Sequence, residues 1–291
     1  MRKNKIWING RFVGINDAKV SVFDRGFLYG DGVFETMRSY AGIVFKLNEH
    51  IDRLFKGLAT IRIKTPHSRS YFKKAIYDSL KINKIRSGYI RVAMTRGEGR
   101  FGIGYKDDFT PNIVIIAKEF GGYPEWMHDR GLSAQTAGFI QNEYSPLAGI
   151  KSMNYLNPIL ARLYAKEDGY DEAILENING YITEAATSNI FIVRKGAIIT
   201  PSRDSGILPG VTRGVVIGIA KKLKLKMVER KISRREPETA DEVFLTNSLA
   251  EILPVVKINS KKIGTGKPGE ITKLLRISYQ KAVIKEVILL R

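Results

Sequence analysis

The chain has 291 residues, 44% of them hydrophobic, which is apolar material for one large or two modest cores and excludes disorder as the main state. It contains no cysteine and only three histidines, His50, His67 and His128, far apart in sequence, so disulfides, thiolate chemistry and a histidine-rich metal site are not expected. The formal net charge of +19 raises nucleic acid as a partner, but Lys and Arg are spread over most segments, and the densest run, Lys221 to Arg235, is interleaved with Leu and Val as on the wet face of a helix and the strand after it.

The N-terminus turns at once to alternating polar and apolar residues, unlike a signal peptide, and no stretch approaches the roughly 20 apolar residues of a membrane span. A cytoplasmic protein without a membrane partner is therefore expected. Lys5 to Val13 reads as a hairpin turning at Asn9-Gly10, and a strand is predicted over about 32–40. Leu47 to Ile61 places Ile51, Leu54, Phe55 and Leu58 on one helical face, a second helix is predicted over about 70–82, and strands follow at Tyr89 to Thr95 and Asn112 to Ala117. Phe120-Gly-Gly-Tyr-Pro-Glu-Trp breaks both periodicities, which predicts a domain at 1–118, a linker at 119–130 and a larger domain at 131–291. In the latter, Leu132 to Ile140 reads as a strand and Pro158 to Glu167 as a helix. Short strands are predicted at Glu172 to Leu175, Tyr181 to Glu184, Asn189 to Val193 and Ala197 to Thr200, and helices at Val211 to Leu223 and Glu270 to Glu286. Strands arriving in runs favour the α+β class over a doubly wound sheet.

Two motifs suggest phosphate binding. Gly97-Glu-Gly-Arg-Phe-Gly102 matches G-x-G-x-x-G, but it leads towards another strand rather than a helix, so a dinucleotide fold is rejected and an active-site loop or a plain hairpin loop remains. Ile207-Leu-Pro-Gly-Val-Thr-Arg opens a helix with a predicted apolar face of Val211, Val215, Val216, Ile219, Ala220 and Leu223. The free N–H groups at such a helix start suit a phosphate.

Ile150-Lys-Ser-Met-Asn-Tyr-Leu, Gly180-Tyr-Ile-Thr-Glu-Ala-Ala-Thr-Ser-Asn, Leu208-Pro-Gly-Val-Thr-Arg and Thr246-Asn-Ser-Leu-Ala-Glu-Ile-Leu-Pro resemble, in order and spacing, the successive motifs of the class IV aminotransferases. Asp24-Arg-Gly-Phe-Leu-Tyr-Gly-Asp-Gly-Val-Phe-Glu-Thr and Asn48-Glu-His-Ile-Asp-Arg extend the resemblance over nearly the whole chain. It implies a two-domain D-amino-acid-aminotransferase-like fold with the active site between the domains, the larger domain binding pyridoxal 5'-phosphate, and a homodimer or higher homo-oligomer.

By that resemblance Lys151 is the Schiff-base lysine and the general base. Its amine must be neutral near pH 7 despite an ordinary pKa of about 10.4. Glu184 pairs with the pyridine nitrogen and Tyr155 with the 3'-oxygen. Arg53 clamps the phosphate, with backbone groups of Val211 and Thr212 and the hydroxyl of Ser248. Phe34, Tyr89 and Arg91 line the substrate pocket, backbone donors near Ser248 and Leu249 serve the substrate, and Arg100 stands where D-amino-acid enzymes place an arginine-x-histidine carboxylate trap. Gly102 replaces the histidine of that trap. Two further departures, Phe34-Glu-Thr-Met without a glycine after the glutamate and Asn247-Ser-Leu-Ala in place of glycine-threonine-alanine-alanine, also occur in aminodeoxychorismate lyases of the same fold. The first expectation is transamination between a small apolar, branched-chain amino acid and 2-oxoglutarate. D-amino-acid transamination and aminodeoxychorismate lysis are the alternatives within the family, and a non-catalytic, basic nucleic-acid-binding protein is the alternative outside it.

Overall fold

A computed structural model describes residues 4–99, 102–104 and 109–290. The chain forms two compact units, one of residues 1–121, 150–154 and 286–291, the other of residues 122–149 and 155–285. Arg100 lies outside the described residues.

In the first unit β1 (Lys5–Ile8) and β2 (Arg11–Gly14) form the expected hairpin, and Asn9 and Gly10 both take the positive φ that a tight two-residue turn demands. The short helix α1 (Arg25–Tyr29) precedes β3 (Gly32–Tyr40) and β4 (Ile43–Val44). Helices α2 (Leu47–Thr60) and α3 (Arg69–Ile82) follow, then β5 (Gly88–Thr95) and β6 (Asn112–Glu119). The sheet order is β2-β1-β6-β5-β3-β4. Residues of β3 alternate between faces: Val33 and Met37 join Ile90, Val92 and Ile115 in a core closed by Ile51, Leu54 and Leu58 of α2 and Phe72 and Ile76 of α3. Glu35 shares that apolar face, where a carboxylate is costly unless it is paired. Strands β5 and β6 are antiparallel neighbours.

In the second unit the predicted linker contains a helix, α4 (Glu125–Arg130). Next come β7 (Leu132–Gln141), α5 (Leu156–Glu167) and the strands β8 (Glu172–Asn177), β9 (Tyr181–Ala185), β10 (Asn189–Arg194) and β11 (Ala197–Thr200). Helix α6 (Val211–Lys222), β12 (Met227–Glu229) and β13 (Ile232–Ser233) lead to β14 (Glu242–Asn247), β15 (Glu251–Ile258) and β16 (Lys261–Lys262), and α7 (Glu270–Leu289) closes the chain. The main path of the sheet runs β12-β11-β10-β14-β15-β7-β8-β9-β13. Strand β7 is parallel to both its neighbours, while most other pairings are antiparallel, in keeping with the α+β class. The α6 face differs from expectation. Leu223 is exposed and Thr212, Arg213 and Ile217 are buried, because Arg213 turns inward to Glu229 (2.7 Å) and the carbonyl of Pro201 (2.9 Å). Among the described residues no helix is long and apolar enough to cross a membrane, and no cluster of His, Asp and Glu could hold a metal ion.

Candidate active site

Lys151 belongs to the first unit, although its neighbour Tyr155 belongs to the second. Its segment pairs with the free edge of β3: Phe34 N–H donates to the carbonyl of Lys151 (2.9 Å), Met153 N–H donates to that of Gly32 (2.9 Å), and Val33 bridges Ser152. Gly32 is required by this approach, since a Cβ there would lie 2.7 Å from the carbonyl oxygen of Met94 and 2.9 Å from Met153 Sδ. Paired residues in an antiparallel register point to one face, so Lys151 and Phe34 project together. Lys151 Nζ accordingly stands 4.6 Å from the centre of the Phe34 ring. The β3–β5 register matches Phe34 with Ala93, Thr36 with Arg91 and Arg38 with Tyr89, which puts Tyr89 and Arg91 on that same face. Arg91 Cζ is 3.8 Å from the ring centre. Four of the residues selected from the sequence, Phe34, Tyr89, Arg91 and Lys151, thus share one surface.

On the opposite face of β3, Glu35 is fully buried and accepts hydrogen bonds from Arg53 Nε (2.7 Å) and Nη2 (2.8 Å) and from His50 Nδ1 (2.7 Å). Burial alone would raise the pKa of this carboxyl, but the Arg53 charge, its paired hydrogen bonds and His50 bring it down to about 2. Burial pushes His50 below its ordinary value; Glu35 opposes the shift, and the charges of Arg53 and Lys151 add to it. His50 is therefore a neutral imidazole donating to a carboxylate. Arg53, expected as a phosphate clamp, is a fork locked onto Glu35 with 12% of its side chain exposed. Neither Glu35 nor His50 was selected as functional, although a carboxylate on the apolar face of a strand demands a cation, and His50 and Arg53 are one helical turn apart.

In the second unit Glu184, on β9, accepts from Leu208 N–H (3.2 Å to each oxygen), Asn189 Nδ2 (3.1 Å) and Gln141 Nε2 (3.5 Å). Asn189 also donates to the carbonyl of Leu208 (2.8 Å), which ties the carboxylate to the loop leading into α6. Gly210 caps that helix, and a Cβ on it would collide with the Asn189 carboxamide oxygen, so any larger residue there would have to displace Asn189. Val211 and Thr212 are the first helical residues, where backbone N–H groups point out of the helix end. Tyr155 is the N-cap residue of α5. Asn189 pairs with Thr246 across β10 and β14, which brings the Ser248 turn to the same end of the sheet. Backbone donors near Ser248 and Leu249 were expected to serve the substrate; here the N–H of Leu249 donates to Asn247 Oδ1 (2.9 Å), as does that of Ala250 (2.7 Å). The sequence places asparagine where the family pattern has glycine, and only the side chain can make these bonds.

In each unit taken by itself the side chains suit a part of pyridoxal 5'-phosphate. In the first, Lys151 supplies an amine aimed by its backbone pairing. In the second, Glu184 is a carboxylate oriented by the Leu208 N–H and the Asn189 carboxamide, suited to a cationic ring N–H, and the α6 start and Ser248 offer donors for a phosphate.

Comparison with known proteins agrees. The family described as amino-transferase class IV matches residues 32–258, and the chain belongs to it. A putative branched-chain-amino-acid aminotransferase of Methanocaldococcus jannaschii is 40% identical, over 95% of each chain. A D-alanine aminotransferase of Bacillus licheniformis is 34% identical over 97% of this chain and 98% of its own length. Among solved structures, a branched-chain amino acid aminotransferase from T.th. with pyridoxamine 5'-phosphate has a TM-score of 0.92 at 32% identity, covering 97% of this chain and 95% of its own. The same enzyme is known with N-(5'-phosphopyridoxyl)-L-glutamate. A 4-amino-4-deoxychorismate lyase of Pseudomonas aeruginosa has a TM-score of 0.84 at 28% identity, covering 95% and 98%.

Proposed function

We propose that the chain is a pyridoxal-phosphate-dependent transaminase that moves an amino group between a small, apolar, branched-chain amino acid and 2-oxoglutarate, working as a cytoplasmic homodimer or higher homo-oligomer. The observation that carries the reading is the surface of β3 and β5, where the Lys151 amine stands over the Phe34 ring with Arg91 beside it. An apolar ring beside the reacting amine suits an aliphatic side chain. Arg91 and Tyr89 suit a carboxylate. The relative from Methanocaldococcus jannaschii and the solved branched-chain enzyme support the same substrate class.

When bound, the cofactor supplies the carbonyl that takes up an amino group and a ring that accepts the electrons released at the substrate Cα. Lys151 holds the cofactor through Nζ and, once released from it, takes the proton from the substrate Cα. The Glu184 carboxylate accepts the ring N–H and, by its charge, keeps that proton in place. Tyr155 hydrogen-bonds the 3'-oxygen. Arg53, aligned by Glu35, binds the phosphate together with the N–H groups of Val211 and Thr212 and the Ser248 hydroxyl.

The test is a panel of L- and D-amino acids with 2-oxoglutarate or pyruvate as acceptor, run with wild type and Lys151→Ala. Turnover of L-leucine, L-isoleucine or L-valine is expected, and the substituted protein should lose both turnover and the visible absorbance of the loaded enzyme. Activity confined to D-alanine or D-glutamate would overturn the substrate class, and pyruvate release from aminodeoxychorismate without transamination would overturn the reaction.

A further inference from the structure

The hairpin turn from Asn247 to Glu251 contains an occupant of its own. The Asn247 carboxamide oxygen accepts the N–H groups of Leu249 (2.9 Å) and Ala250 (2.7 Å), and its Nδ2 donates to Ser188 Oγ (2.9 Å) in the neighbouring β9–β10 turn. Two adjacent backbone N–H groups converging on one oxygen are the donor arrangement that binds a carboxylate. Here the oxygen comes from within the chain. The side chain cannot swing away at no cost, because leaving the turn also breaks its bond to Ser188, itself a buried residue.

We propose that Asn247 is a specificity-determining residue. Its carboxamide stands in for an oxyanion on the Leu249 and Ala250 N–H groups and restricts the anion-binding capacity of this turn. The proposal rests on the reading above, in which the Ser248 hydroxyl of this turn binds the cofactor phosphate. It adds that a substrate carboxylate must displace the Asn247 oxygen to reach Leu249, so the turn penalises ligands that depend on that contact. A side chain that merely braced the hairpin would have the opposite mutational signature.

The experiment measures the dissociation constant of 4-methylvalerate, a branched monocarboxylate, by calorimetry on the cofactor-loaded protein, together with KM for L-leucine. Asn247→Ala removes the built-in oxygen, and both constants should fall by roughly three- to tenfold as the N–H groups become open to the carboxylate. Asn247→Asp keeps two acceptors for the same N–H groups and so preserves the turn, but it places a negative charge on the site, and both constants should rise by roughly tenfold or more. Weaker binding in Asn247→Ala combined with unchanged binding in Asn247→Asp would assign the residue a bracing role only and overturn the proposal. If Asn247→Ala fails to fold, Asn247→Asp alone decides it, since unchanged constants there are sufficient to reject it. Failure of the parent reading looks different: wild type would show no visible absorbance and no turnover of L-leucine.

Discussion

Glu35 and Glu184 are both strand carboxylates, one in each unit, and they are placed in different settings. Glu35 faces an apolar core and is neutralised within the chain by Arg53, with neutral His50 as a second donor. Glu184 accepts hydrogen bonds from the Leu208 N–H and from the Asn189 and Gln141 carboxamides, which tie it to the loop leading into α6. A guanidinium fork neutralises the carboxylate that it binds. Neutral donors orient a carboxylate without cancelling its charge, which suits a protonated ring nitrogen.

The largest effect is expected where that charge acts on chemistry. Glu184→Gln keeps the size and part of the hydrogen bonding but loses the charge, so turnover should drop on the order of a hundredfold or more, the scale of deleting one preorganised electrostatic contact. Steady-state rates and a thermal melt check it together; a falling rate with an unshifted melt separates chemistry from folding, and an undiminished rate would remove Glu184 from the site.

Glu35→Ala should act mainly on the fold. It takes away the carboxylate that Arg53, with 12% of its side chain exposed, and His50 both bind, and breaking a buried pair from one side costs about 3–5 kcal/mol. Denaturant unfolding measures this. Cofactor affinity should also weaken because the guanidinium loses its alignment, whereas Arg53→Ala should weaken cofactor binding with little change in substrate preference. Equal loss of stability in Glu35→Ala and Glu184→Gln would erase the distinction between the two carboxylates.

The smallest effect is the pH dependence of stability. Glu35 titrates at about 2 in the folded chain against an ordinary 4.5, so its contribution is fully present above pH 4.5 and is lost as pH falls towards 2. His50 is depressed below 6.5, and it too favours folding only while neutral, so its contribution starts to be lost as pH falls below 6.5. Melting temperatures from pH 7 to 3 should decline along this limb and flatten in Glu35→Gln.

Much of this was legible in the sequence. The Asn9-Gly10 turn signal located the hairpin, and the 3.6 periodicity located the two helices of the first unit and the α6 helix, whose buried residues recur at helical spacing. Strands β14 and β15 were not predicted. Their residues are buried nearly throughout, which erases alternation, and Pro254 sits inside β15 opposite Phe244. Lys151 and Glu184 were selected through their motifs, whereas the Glu35 network depended on which face of β3 looks inward and the Asn247 bonds on how a turn folds back on its own side chain. Neither is a spacing rule.

The segment that carries Lys151 is held to β3 by main-chain bonds, Phe34 N–H to the carbonyl of Lys151 and Met153 N–H to that of Gly32, and such bonds form whatever side chain stands at 151. Shortening residue 151 should therefore keep this segment in register while emptying a small volume over the Phe34 ring, and a free primary amine small enough to enter that volume becomes a candidate to restore proton transfer from solution.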